Sequence, residues 1–98
     1  MPDQQPAAWQ RIAADTFVTR GPINLWGLIL TDDAVGAADV TLYEGANTDG
    51  RRLFTLRTVQ NQSNPCFFPV PILLEDGLYV DVGTNVLEAF ILYQHVQE

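Results

Sequence analysis

From residue 16 onward, short apolar runs alternate with clusters of Gly, Asn, Asp and Pro, and no segment keeps a 3.6-residue apolar period over the length of a helix. The pattern predicts strands over 16–20, 23–31, 39–45, 52–58, 66–74, 78–83 and 87–96, with room for an eighth. Between them lie TDDAVGAAD, GANTDG, QNQSNP, EDG and GTN, rich in residues that accept positive φ or close a turn. Connections this short favour hairpins and antiparallel pairing. The expected fold is all-β, an antiparallel β-sandwich or jelly-roll-like small barrel of about seven or eight strands.

Alternation assigns the faces of these strands. In VTLYEG, Val40 and Leu42 oppose Thr41 and Tyr43, and in LYVDVG, Leu78, Val80 and Val82 oppose Tyr79 and Asp81, the mark of half-buried strands. INLWGLIL differs: Ile23, Leu25 and Ile29 on one side face Trp26, Leu28 and Leu30 on the other. FFPVPILL is likewise apolar on both sides. A two-sheet domain buries one face of each strand, so doubly apolar strands call for a second covering surface, from an arm or another subunit.

The run NPCFFPVPILL carries prolines at 65, 69 and 71. Proline cannot donate to a ladder, which confines it to edges, strand starts and bulges. All three positions are odd, so an unbulged strand here would lose its donors along one side and keep those of Cys66, Phe68, Val70 and Ile72 on the other. This predicts an edge strand blunted against open-ended growth. Phe67, Phe68, Val70 and Ile72 are the expected contacts between copies in a homo-oligomer, for which a trimer is the expectation.

Residues 1–15 read differently. Pro2, Pro6 and a run of Gln and Asp precede AAWQRIAAD, a composition suited to an extended N-terminal arm ending in a short helical turn, with a single domain over 16–98. Trp9 and Ile12 would be wasted on solvent and are the expected partner-binding contacts of that arm. The arm lacks the basic flank and long apolar stretch of a signal peptide, and no run approaches the roughly 18 apolar residues of a membrane span. No membrane association is expected.

The 98 residues suffice for one core. Twelve carboxylates against five arginines, with no lysine, give a net charge of -7 and argue against a nucleic-acid partner, which needs clustered cations. A single cysteine excludes an internal disulfide framework and a multi-cysteine zinc site.

Catalytic chemistry has little to draw on. Cys66, His95 and Asp81 can be drawn as a triad, but Cys66 lies in an apolar run with no neighbouring cation and reads more simply as an inert packed thiol. Asp32, Asp33, Asp39 and the NTDG at 47–50 do not follow the spacing of a calcium loop and read as turn residues. No phosphate-binding glycine loop is present, so neither catalytic residue, metal nor cofactor is expected. Trp26 and Tyr43, with Asn47 and Asp49, could form a sugar platform, although a tryptophan inside the most apolar strand is more simply structural.

The succession TRGPINLWGLILTDDAVGAADVTLYEGANTDGRRLFTL, followed by PVPILLEDGLYVDVGTNVLEAFILYQ, resembles small β-rich virion structural proteins of tailed bacteriophages. VTLYEG with its DGRRLF hairpin, LEDGLYVDVG and the closing aromatic strand carry the likeness, over about residues 19–95. The resemblance implies a protein without enzymatic activity, made in the host cytoplasm and placed on the virion. Its expected role is a capsid decoration or cement protein that binds and stabilises the shell of major capsid protein. A neck, tail or fibre subunit is the alternative within that class, and a carbohydrate-binding β-sandwich module the alternative outside it.

Overall fold

The computed structural model describes residues 7–96, and residues 1–6 of the expected arm lie outside the described residues. Eight strands form: β1 (Ala8–Ile12), β2 (Thr16–Thr19), β3 (Ile23–Asp32), β4 (Ala38–Glu44), β5 (Arg51–Thr58), β6 (Ser63–Leu74), β7 (Leu78–Val82) and β8 (Val86–His95). They build two four-stranded antiparallel sheets, in the order β1-β8-β3-β6 (sheet A) and β2-β7-β4-β5 (sheet B).

The pairs β1–β8, β2–β7, β3–β6 and β4–β5 are nested, as in one long hairpin folded at residues 45–50 and rolled until β8 meets β3 and β7 meets β4. This is the double-sheet jelly-roll arrangement. Only β4–β5 joins consecutive strands within one sheet, and the other connections cross between sheets. Short loops predicted hairpins; here they serve as bridges across a thin sandwich, a distance that a few residues also span.

Residues 8–12 do not stand apart as an arm. They form the edge strand β1, in register from Ala8 opposite Tyr93 to Ile12 opposite Ala89. The sequence AWQRI alternates well enough to pair: Ile12 is only 5% exposed and joins the core, while Trp9 and Arg11 point outward. Its helix-forming residues give no local strand signal, and the pairing with β8 decides the outcome.

Between the sheets, Leu25, Leu28 and Leu30 of β3 meet Val40 and Leu42 of β4, with Leu74, Leu78, Val80 and Ile91 completing a fully buried centre. Each such side chain contributes about 1.5–3 kcal/mol by leaving water. Ile29 and Leu28 change places relative to a simple alternation. Leu25 pairs with Tyr93 and Gly27 with Leu92, which leaves Trp26 as an extra residue in β3. The bulge shifts the phase by one position, so Leu28 and Leu30 turn inward while Trp26 and Ile29 turn outward.

The same place disturbs β6. Phe67 lies opposite Gly27 and Ile72 opposite Leu25, so residues 68–71 bow out of the ladder against the single residue Trp26. Pro69 and Pro71 fall inside this bow, and β6 is the edge of its sheet. Gly27 is required by close approach. A Cβ there would overlap the Phe67 ring and lie 2.6 Å from the Cys66 carbonyl oxygen.

Both ends of the sandwich are tied by carboxylates. At one end the buried Asp32 accepts from the amides of Ala34 (3.1 Å) and Asn61 (2.7 Å), and Asp15 accepts from Val82 (2.7 Å). At the other end Glu44, with a side chain 7% exposed, accepts from Arg51 Nη2 (2.7 Å) and from the amide of Glu75 (2.8 Å). It thereby joins the β4–β5 hairpin to the β6–β7 turn. The Arg51 hydrogen bond first, and the amides of Glu75 and Asp76 after it, hold this carboxyl below its ordinary 4.5 against the opposing effect of burial.

A carboxyl depressed by folding stabilises above its unfolded value, and the contribution is lost as pH falls through the lower folded value. Glu44→Gln is therefore expected to cost about 2 kcal/mol at neutral pH. In urea melts the gap between variant and parent should begin to narrow below pH 4.5 and close as pH falls through the lower folded value; a gap that persists unchanged in acid would contradict the assignment.

Candidate functional site

Residues directly opposite one another in a ladder share a face, so the registers define the two outer surfaces. On sheet A, Trp9 stands opposite Leu92 and Arg11 opposite Phe90; Phe90 is opposite Ile29, which is opposite Pro65. Phe67 adds its ring over Gly27, and Trp26 joins the same surface through a hydrogen bond from its Nε1 to Gln94 Oε1 (3.4 Å). Trp9 and Phe90 stack with centroids 5.4 Å apart and planes 16° from parallel.

Polar residues occupy the two ends of this surface. Thr31 and Ser63 share a 3.0 Å hydrogen bond at one end, beside Glu88, while at the other Asn24 lies between Gln94 and the exposed Leu73. Along β1 and β8 the only charges are Arg11 and Glu88, which pair at 3.5 Å. An apolar, aromatic centre with a polar rim and little net charge is the anatomy of a protein–protein interface. A contiguous apolar surface of this breadth is uncommon on a free monomer.

Sheet B is more polar, although Phe17, Tyr79 and Tyr43 form an aromatic row across it. Its outer face carries Asp39, Thr41 and Tyr43 of β4, Tyr79 and Asp81 of β7, and Arg52, Thr55 and Arg57 of β5. Tyr43 and Tyr79 touch with centroids 6.4 Å apart, and Thr41 and Thr55 share a 2.9 Å hydrogen bond. Burial, then the charge and hydrogen bond of Asp15, then the charge of Asp39 push the Asp81 carboxyl above its ordinary 3.8.

The residues expected from the sequence to bind partners fall into two groups. Trp9 (58% exposed) and Phe67 (51%) lie on the outer face of sheet A, and Val70 (73%) stands on the exposed bow of β6. Ile12, Phe68 and Ile72 turn inward: Ile12 is a core residue, Ile72 packs against the core, and Phe68 meets Phe54 edge-to-face at 6.0 Å. Ile12 is buried in the folded chain, while Phe68 and Ile72 are half-buried against the core. Phe90, Leu92 and Ile29 belong to the outer face and were missed. The double apolarity of β3 signalled that face, but the bulge hid which residues form it.

The candidate triad is not assembled. Cys66 and His95 pair with Leu28 and Ile23 of β3, about 16 Å apart along the strand, and Asp81 is on the other sheet. Trp26 and Tyr43 likewise lie on opposite sheets and do not form one platform, and Asn47 closes its own turn by accepting from the amide of Asp49 (2.8 Å). Among the described residues, no three His, Cys, Asp or Glu side chains converge as a metal site would need, and no helix is long and apolar enough to cross a membrane.

A raised carboxyl pKa means that the charge on Asp81 costs stability above its folded value, and that the cost fades as pH falls below the unfolded one. Asp81→Asn should raise the melting temperature at neutral pH, by less than about 1 kcal/mol in stability. The gain should vanish below about pH 4; thermal melts in which the variant is less stable at neutral pH would refute the assigned repulsion.

Comparison of the chain with protein-family models, with curated proteins and with solved structures finds no match to any of the three.

Proposed function

We propose that the protein is a non-enzymatic structural subunit of a bacteriophage virion. Its role is that of a capsid decoration or cement protein, which assembles as a homo-oligomer and binds the shell of major capsid protein. The observation that carries this reading is the outer face of sheet A, where Trp9, Trp26, Ile29, Phe67, Phe90 and Leu92 form an apolar centre inside a polar rim. Such a surface serves assembly, not turnover. The side chains with reactive potential support this: Asp15, Asp32, Asp39 and Glu44 are engaged with backbone amides that fix loops.

Two further considerations support the class. The sequence resembles small β-rich virion proteins over most of its length, and jelly rolls recur among viral capsid domains, an analogy of fold alone. Placement in the neck or tail is the alternative within that class. Copy number separates the two: hundreds on a shell against about a dozen or fewer at a neck.

Jelly rolls also occur among lectins, and the exposed ring of Trp9 favours a glycan-binding reading as the second possibility. Tryptophan emission is expected to stay unchanged on titration with host-surface oligosaccharides; a saturable shift abolished by Trp9→Ala would favour the sugar reading. The direct test is sedimentation with empty capsid shells. Saturable co-sedimentation at a fixed ratio to capsid protein is expected, and a protein left entirely in the supernatant would overturn the virion assignment to the shell.

A further inference from the structure

We propose that a second copy of this chain covers the outer face of sheet A, so that two sandwiches pair face to face about a two-fold axis. The proposal rests on the reading of the chain as an assembly subunit and names what its apolar face meets.

Charge selects the face. Two copies of a chain with net charge -7 repel one another. The outer face of sheet B carries Asp39, Asp81, Arg52 and Arg57, four charges that contact there would strip of water. Along β1 and β8 of sheet A the charges are Arg11 and Glu88, which neutralise each other. Contact there brings the two copies together without burying an unpaired charge.

The area is sufficient. Strands of 5, 10, 10 and 12 residues set about 4.8 Å apart give a face of about 600 Å² in projection. Standard interfaces take about 800 Å² of accessible surface from each partner. Large side chains such as Trp9 and Phe67 raise the accessible area of the face above its projection toward that value.

Geometry favours closure at two. A single face meeting its own copy is an isologous contact, which a two-fold axis satisfies and completes; three copies about a three-fold axis would need two different complementary patches. Of the other exposed large apolar side chains, Leu73 borders the same face opposite Asn24, Phe17 lies on β2 and Val70 on the bow of β6, and Val35, Val59 and Leu87 lie in or beside loops at one end of the sandwich. The proposed pair is two-fold, where the sequence reading expects a trimer. Pairing through strand edges is disfavoured, because β1 and β2 are short, β5 carries Arg51, Arg52 and Arg57, and β6 is bowed at its prolines.

Sedimentation equilibrium of the full chain tests the pairing. The native protein should have twice the protomer mass at micromolar concentration. Trp9→Ala, at an exposed position, should weaken the pair by about tenfold or more. Leu92→Arg, which sets like charges across the axis, should give a monomer, whereas Tyr79→Ala on sheet B should leave the pair intact. Far-UV circular dichroism checks that each variant is folded, and Trp9→Ala decides if Leu92→Arg is not. A native monomer overturns the pairing, as does a dimer indifferent to Trp9→Ala and to folded Leu92→Arg. Co-sedimentation with shells is read separately: a monomer that binds shells overturns the pairing and leaves the proposed function standing, while a dimer that ignores shells does the reverse.

Discussion

Strand β3 carries apolar side chains on both faces, and the sandwich hides only one of them. Its inward residues Ile23, Leu25, Leu28 and Leu30 are fully buried and lie between β6 and β8, at the centre of the core. Its outward residues Trp26 and Ile29 lie between Phe90 and Leu92 on one side and Phe67 on the other. A strand that belongs to two apolar surfaces couples stability to the proposed assembly: the layer that fixes the fold also carries the surface proposed to meet a second copy. Neighbouring side chains cover Trp26 and Ile29 only in part, leaving both half-buried, and a flat face cannot bury itself.

The remaining construction frees that face from other duties. Nested pairing brings the loops to the two ends of the sandwich, and there the acidic residues serve as acceptors for backbone amides. Asp32 binds Ala34 and Asn61, Asp15 binds Val82, and Glu44 binds Glu75 while pairing with Arg51. A buried amide without a partner costs more than a made hydrogen bond gains. These carboxylates thus stabilise crossings between sheets that have no ladder of their own. Much of the chain's negative charge is placed at the ends and on sheet B, which leaves sheet A nearly neutral.

Most of the strands and the all-β class were legible in the sequence because alternation and turn residues are local signals. Those signals located β2 to β8 to within a few residues, and the prolines marked β6 as an edge strand. What escaped depends on long-range pairing. Ala8–Ile12 becomes a strand only because β8 offers an unpaired side. The phase shift at Trp26 is invisible to a count of alternating positions, since the extra residue shows only against Leu92 and Phe67 in the neighbouring strands. The consequences reach the candidate site: Trp9, Phe67 and Val70 lie exposed, whereas Ile12, Phe68 and Ile72 turn toward the core.

The proline-rich run of β6 makes sense in these terms. A sheet with an open, regular edge can add strands without limit, and such growth competes with any closed assembly. In β6 the ladder to β3 is intact over Ser63–Phe67 and Ile72–Leu74, and it opens at residues 68–71, where Pro69 and Pro71 remove donors. The bow spoils the straight edge that an incoming strand would need. Phe67, just before it, stays in register and lays its ring on Gly27, within the apolar face. One stretch of chain thus weakens association through backbone hydrogen bonds and adds to association through side chains. Contacts of the first kind are open-ended; those of the second are limited by the area of one face and by the symmetry that covers it. The proposed bounded assembly needs the edge blunted and the face kept apolar, and residues 65–71 serve both needs.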